Sequence, residues 1–259
     1  DSRERARTNM SLNVSEVSAW YEGSQDKTPV IHDITFTLKS GRLCALVGVN
    51  GAGKSTLFKA LMELIPFSGS ITWNGRPFRE ARRRGLIGYV PQTEAIDASF
   101  PLLVEDVVMQ GRYCHQGWFR VPSQEDRTLV AQALGRVGLL ELIDRPISQL
   151  SGGQRKRVFV ARGIAQKAEL LLLDEPFAGV DAKSEAIITQ QLRLLAEEGR
   201  TLLVSIHDIH SARENFQDCL VINKTITAQG LASDVLRSTE LLASLGLSEH
   251  GHIEEVPHA

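Results

Sequence analysis

The sequence predicts an α/β fold built on a mostly parallel sheet. Three observations carry this expectation. Short apolar runs alternate with helix-period segments, which is the pattern of βαβ units. Residues 43–47 and 170–173 are wholly apolar, as strands buried on both faces require. Residues 48–56, GVNGAGKST, set a glycine-rich turn between the first of those strands and a helix. The chain has 259 residues, enough for one large domain.

The elements follow in order. Residues 1–10, DSRERARTNM, are charged and read as a mobile tail. Residues 12–36 read as strands, with a turn around 22–29. After the strand at 43–47, Leu57, Ala60, Leu61 and Leu64 recur at i, i+3, i+4 and i+7. This predicts a helix with one buried face, stopped by Pro66. A strand pair is expected at about 70–73 and 86–90, with Asn74-Gly75 as a turn signal. From 93 to 149 helical pattern dominates, with helices expected at 104–110, 127–137 and 139–143. Ser151 reads as the N-cap of a helix that turns Val158, Ala161 and Ala165 to one side. Then come a strand at 170–173, a helix at 182–196, a strand at 201–206, a helix at 208–216 and short strands within 219–228.

Composition excludes several classes. Lys and Arg total 29 against 31 Asp and Glu, so the net charge is −2 and the basic excess of a dedicated nucleic-acid binder is missing. No nucleic-acid partner is expected. Cys44, Cys114 and Cys219 are far apart and form no CxxC, which argues against a disulfide framework or a cysteine zinc site and suits a reducing cytosol. No apolar run approaches the roughly 18–20 residues needed to span a bilayer. A membrane role is therefore expected to come through a partner.

Gly48, Gly53, Lys54 and Ser55 fit G-x-x-x-x-G-K-[ST] in its required setting, after a strand and opening a helix. Glycines let backbone N–H groups turn toward phosphate oxygens, and the helix N-terminus adds partial positive charge. Lys54 is expected to reach the β- and γ-phosphates, and the Ser55 hydroxyl to ligate Mg²⁺. Downstream, the strand at 170–173 runs into Asp174-Glu175, delivering carboxylates at the strand end where open α/β sheets bind ligands. Asp174 is the expected Mg²⁺-side acid and Glu175 the residue that polarises an attacking water. The guanine-reading NKxD pattern is missing, because Asn223-Lys224 is followed by Thr225-Ile226; ATP is the expected nucleotide. A second glycine pair, Gly152-Gly153, follows Ser151 at a helix start and makes a second anion-binding element.

With these motifs in this order, the chain resembles the ATP-binding-cassette (ABC) family of nucleotide-binding subunits over about residues 12–235. The resemblance implies a P-loop NTPase cassette: a RecA-like core with a mostly parallel sheet, an N-terminal antiparallel β subdomain and a helical insertion. It divides a single domain, 1–259, into 11–92 and 157–235 as core, 93–156 as helical part and 236–259 as tail. The Walker A motif maps to 48–56, with Asn50, Gly51, Ala52 and Thr56 as further nucleotide contacts. Gln92 in YVPQ maps to the Q-loop, as metal ligand and catalytic residue, and Leu150–Gln154 to the signature. Asp174 ends Walker B, Glu175 is the catalytic glutamate, Asp181 ends the D-loop, and His207 is the switch histidine. Tyr21 maps to the adenine-stacking aromatic, with its neighbour Trp20 as the alternative, since a register shift exchanges the two. The family pairs two copies head-to-tail around two ATP molecules. Ser151, Gly152, Gly153 and Gln154 would then serve the nucleotide held by the other copy. A polytopic permease is the implied membrane partner, and the cytoplasmic face of the membrane the implied location.

Residues 86–119 are similar to those of the ATPases of manganese, iron and zinc importers, which work with an extracytoplasmic metal-binding protein. The likeness rests on Asp97, Ser99, Phe100 and Pro101, the following VEDVV, and GRY with a nearby GW. Phe100, Met109, Tyr113 and Trp118 are expected to form an apolar surface for the permease. The alternatives are a soluble non-transport ABC ATPase of DNA repair or translation, or an ABC subunit for another substrate. Long heptad arms and a second cassette, which the non-transport proteins carry, are missing from this sequence. The end of the chain holds His250, His252 and His258 and reads as a solvated tail.

Overall fold

The structure is a computed structural model that describes residues 11–23, 28–92, 102–117 and 120–237. Residues 1–10 and 238–259, with the terminal histidines, and Asp97, Ser99, Phe100, Pro101 and Trp118 lie outside the described residues, while Leu236, at the start of the expected C-terminal tail, is buried in the core.

Among the described residues, ten strands form two sheets. The first is antiparallel: β1 (Ser11–Ala19), β2 (Ile31–Lys39), β4 (Phe67–Trp73) and β5 (Arg76–Pro77), in the order β2-β1-β4-β5. The second contains β3 (Leu43–Val47), β6 (Ile87–Val90), β7 (Leu170–Asp174), β8 (Thr201–Ile206), β9 (Asp218–Asn223) and β10 (Thr225–Leu231), in the order β10-β9-β3-β8-β7-β6. All its pairings are parallel except the β9–β10 hairpin. The expected antiparallel subdomain and mostly parallel sheet are both present.

Alternation along the central strands divides the core in two. On β3, Leu43, Ala45 and Val47 join one apolar cluster, while Cys44 and Leu46 join the other. Leu171 and Leu173 of β7 face the first cluster, Leu170 and Leu172 the second. A period of two on a sheet covered from both sides makes every residue apolar, so these strands read as continuous runs.

The helices are α1 (Lys54–Leu61), α2 (Phe78–Arg83), α3 (Val104–Met109), α4 (Gln124–Arg136), α5 (Gly152–Ala165), α6 (Ala182–Glu197), α7 (Ile209–Asn215) and α8 (Ala232–Val235). Helices α3, α4 and α5 pack together as the expected helical region. The α5 helix is continuous through residues 156 and 157, where the division between helical part and core was expected. Residues 140–142 make only a 3₁₀ turn where a helix was expected.

Two other expectations change. The strands near 70–73 and 86–90 do not pair with each other. The Asn74-Gly75 turn instead folds β4 onto the two-residue β5. Phe78 and Ala81 of α2 are then buried, and the chain crosses to the other sheet, where β6 pairs with β7. The α1 helix stops at Leu61, and Leu64 is 60% exposed. A Schellman closure explains the early stop: Glu63 takes φ +54, its N–H donates to Ala60 O, and Leu64 N–H donates to Lys59 O at 2.8 Å.

Candidate functional site

The glycine-rich loop leaves β3 and enters α1 through Gly53, whose φ of 104 is left-handed. A Cβ at Gly53 would collide with Ile31 Cγ2, and one at Gly48 with the Ile222 carbonyl oxygen. Packing therefore requires glycine at both positions, and the left-handed backbone requires it at Gly53 as well. The loop is braced from behind by the β9–β10 turn: Lys224 N–H donates to Ala52 O at 2.9 Å and its Nζ to Gly51 O at 3.0 Å. Residues 49–56 line a cavity of about 280 Å³ together with Val30, Gln92 and Glu175. This brings Asn50, Gly51, Ala52, Gly53, Lys54, Ser55 and Thr56 to one place.

Lys54 is 4% exposed, and its Nζ donates to Gly48 O at 2.7 Å and Val49 O at 3.3 Å. Burial lowers its pKa, while the carboxylates of Glu175 and Asp174 oppose that shift. The ammonium is thus a buried cation facing two acids at the mouth of a loop of N–H groups, a site built for an anion.

Asp174 ends β7 and is 2% exposed. The β7–β8 register sets it opposite Ser205, whose hydroxyl donates to Asp174 Oδ1 at 2.6 Å. The same hydroxyl accepts the Glu175 N–H at 2.8 Å. Glu175 holds φ 49, a left-handed conformation unusual for a side-chain-bearing residue. Its carboxylate is gripped on both oxygens. His207 Nε2, just past β8, lies 2.5 Å from Oε1, and Gln92 Nε2 donates to Oε2 at 2.5 Å. Sequence reasoning missed Ser205, because only the register between two parallel strands brings it to Asp174-Glu175. The Ser55 hydroxyl, Gln92 amide carbonyl and Asp174 carboxylate are hard oxygen donors, a set whose chemistry suits Mg²⁺.

Of the two aromatics, Tyr21 is the one at the glycine-loop helix. Its hydroxyl lies 3.3 Å from Thr56 Oγ1, and Lys59 Nζ sits 5.2 Å from its ring centroid. The ring is 39% exposed. Trp20 instead donates its backbone N–H to Pro66 O.

Ser151, Gly152, Gly153 and Gln154 do not line the cavity. Ser151 caps α5 in a capping box: its hydroxyl accepts Gln154 N–H at 3.2 Å, and Gln154 Oε1 accepts Ser151 N–H at 2.9 Å. Gly153 is pressed against Asp181 and Ser184, so a Cβ there would sit 2.7 Å from both Asp181 Oδ2 and Ser184 Oγ. Asp181 caps α6 by accepting Ser184 N–H and Oγ–H, each at 2.9 Å, which lowers its pKa.

The expected docking surface is only partly available. Met109 is 6% exposed and packs inside the first apolar cluster, so it is a core residue rather than a docking anchor. The burial follows from its helix: Val104, Val107 and Val108 of α3 are buried with it against the neighbouring helices. Tyr113 is 42% exposed, with Arg120 5.3 Å over its ring. Cys44 and Cys219 are buried and Cys114 is exposed, each as a free thiol. Among the described residues no helix is long and apolar enough to cross a membrane.

Residues 31–178 match the family described as ABC transporter. The chain is 50% identical over 220 residues to the chelated iron transport system membrane protein YfeB of Yersinia pestis, covering 85% of this chain and 73% of that one. It is 40% identical over 238 residues to the manganese transport system ATP-binding protein MntA of Synechocystis, covering 92% and 90%. The zinc transport system ATP-binding protein TroB of Treponema pallidum is 44% identical, covering 78% and 76%. Among solved structures, cbiO1 from Clostridium perfringens, part of the ABC transporter complex cbiONQ, aligns with a TM-score of 0.73 at 30% identity, covering 95% of this chain and 98% of that one.

Proposed function

This chain belongs to the ABC transporter family as an ATP-binding, ATP-hydrolysing subunit, and we propose that it powers import of a divalent transition metal such as manganese, iron or zinc. In this reading the loop 48–56 binds the triphosphate, with Lys54 on the β- and γ-phosphates and Tyr21 against adenine. Ser55, Gln92 and Asp174 would hold Mg²⁺, which supplies charge neutralisation at the phosphates. Glu175 takes the proton of the attacking water, and His207 holds that water and the γ-phosphate in position. The observation that carries this assignment is the Glu175 carboxylate, held at the cavity between Gln92 and His207.

The working unit is two copies arranged head-to-tail on a polytopic permease at the cytoplasmic face of the membrane, fed by an extracytoplasmic metal-binding protein. A signature outside the chain's own cavity supports the pairing, because Ser151–Gln154 are then free to meet the partner's nucleotide. Asp181 would face the same interface.

Glu175→Gln tests the chemistry. It keeps the shape and hydrogen bonding of the side chain but cannot act as a base. ATP should still bind, turnover should fall by about 10²–10⁴, and an ATP-bound dimer should accumulate on a sizing column. Near-wild-type turnover would assign the base elsewhere. The substrate is tested by deleting the gene and measuring cellular manganese, iron and zinc under metal-limited growth. At least one should fall and recover on re-expression; three unchanged metals would reject metal import and leave the ATPase assignment standing.

A further inference from the structure

Lys156 lies in the second turn of α5, whose start is the signature, and its Nζ donates to the main-chain oxygen of Gln92 at 2.5 Å. Gln92 in turn donates its amide to Glu175 Oε2. An unbroken set of contacts thus joins the helix that presents Ser151 and Gly153 to the carboxylate of this chain's own site. We propose that Lys156 is a positioning residue for ATP hydrolysis, a latch that fixes the Gln92 main chain so that its amide holds Glu175 in place. This rests on the reading of Glu175 as the base.

Gln92 is exposed and lies two residues past the end of β6, so its own strand does not fix its side chain. A charged donor on its carbonyl oxygen makes a charge-assisted bond, about twice as strong as a neutral one. Lys156 reaches that oxygen from a helix anchored by buried Val158, Phe159 and Val160, so the anchor is stiff. When α5 shifts as its signature end engages a partner, the Gln92 carbonyl and then the Glu175 carboxylate shift with it. The contact spans 64 residues, and the charge at 156 belongs to no phosphate motif.

The test uses the purified full chain under single-turnover conditions, with phosphate release as readout. Lys156→Met keeps length and loses the donor; Lys156→Arg keeps a donor. Lys156→Met should lower the hydrolysis rate about tenfold, the scale of one lost charged hydrogen bond acting through a second residue. The ATP concentration at half-maximal rate should stay within about twofold, and Lys156→Arg should restore most of the rate. In a Gln92→Ala background, Lys156→Met should change little, since there is no amide left to position. The latch is overturned by an unchanged rate in Lys156→Met, by a change confined to ATP affinity, or by an equal loss in the Gln92→Ala background. Glu175→Gln run alongside separates the two readings. If it stalls turnover while Lys156→Met does not, only the latch fails; if it turns over normally, the base assignment fails.

Discussion

Two helix starts in this molecule carry glycines and small hydroxyl residues, yet they are built differently. At α1 the N-cap is Gly53 in the left-handed region, no side chain caps it, and its first turn opens on the 280 Å³ cavity. At α5 the N-cap is Ser151 with a complete capping box, and Ser151 and Gly152 face outward. The first helix start leaves its orphan N–H groups available, so it gains from an anion within the same chain. At the second, the capping box already takes up the Gln154 and Ser151 N–H groups. Of the two, the first lines the cavity of this chain and the second does not.

The helical region that carries α5 has its own buried tie, Arg112 Nε to Asp126 Oδ1 at 2.9 Å, with Arg112 also donating to Ala165 O. Arg112→Ala leaves a buried carboxylate without its cation and should cost about 3–5 kcal/mol in denaturant unfolding. The pair also fixes a pH dependence. Burial pushes the Asp126 pKa up, but the Arg112 hydrogen bond and the Ser123 bonds outweigh it and hold the group at about 2, below its ordinary 3.8. A lowered folded pKa adds stability that is complete above 3.8 and is lost as pH falls toward 2. An acid titration of Asp126→Asn should lack that part of the loss; an identical acid limb would show that the pair does not set it.

Next comes Lys54→Ala, which removes a charged phosphate contact from the incomplete helix start. ATP affinity should fall about 10–100-fold in calorimetry. Unchanged affinity would remove the glycine loop as the binding site. The smallest effect belongs to the other helix start. Ser151→Ala removes the cap and should cost about 1 kcal/mol of stability. ATP affinity of the single chain should stay within about twofold, while turnover of the assembled transporter drops. A Ser151→Ala chain with impaired ATP binding on its own would mean that both helix starts serve one site, and the comparison would collapse.

How much of the site was legible follows from distance along the chain. GVNGAGKST carries its geometry within nine residues, because a turn, a helix N-terminus and a charged side chain need only local backbone. Asp174-Glu175 could be read because a buried strand must end in something polar. Ser205 is 31 residues from Asp174, Lys156 is 64 from Gln92 and Lys224 is 173 from Gly51. Each looks ordinary in its own segment, and nothing in a serine, a lysine or a turn lysine announces its partner. The exposed Leu64 and buried Met109 belong to the same class. Helical spacing identifies an apolar face, but a Schellman turn in one case and the packing of α3 in the other decide whether that face meets protein.

The class of the fold, the glycine-rich loop and the order of the chemical motifs are written in local sequence. These depend on spacing within one element, where backbone sterics and side-chain period act directly. Only the tertiary structure decided that β6 joins β7 rather than β4, that Tyr21 and not Trp20 sits at Thr56, and that Gln92 and His207 close on the two oxygens of Glu175. Those outcomes depend on which remote surfaces bury each other. A local pattern states that a face is apolar or a group is polar, and the partner that satisfies it is chosen by the whole chain.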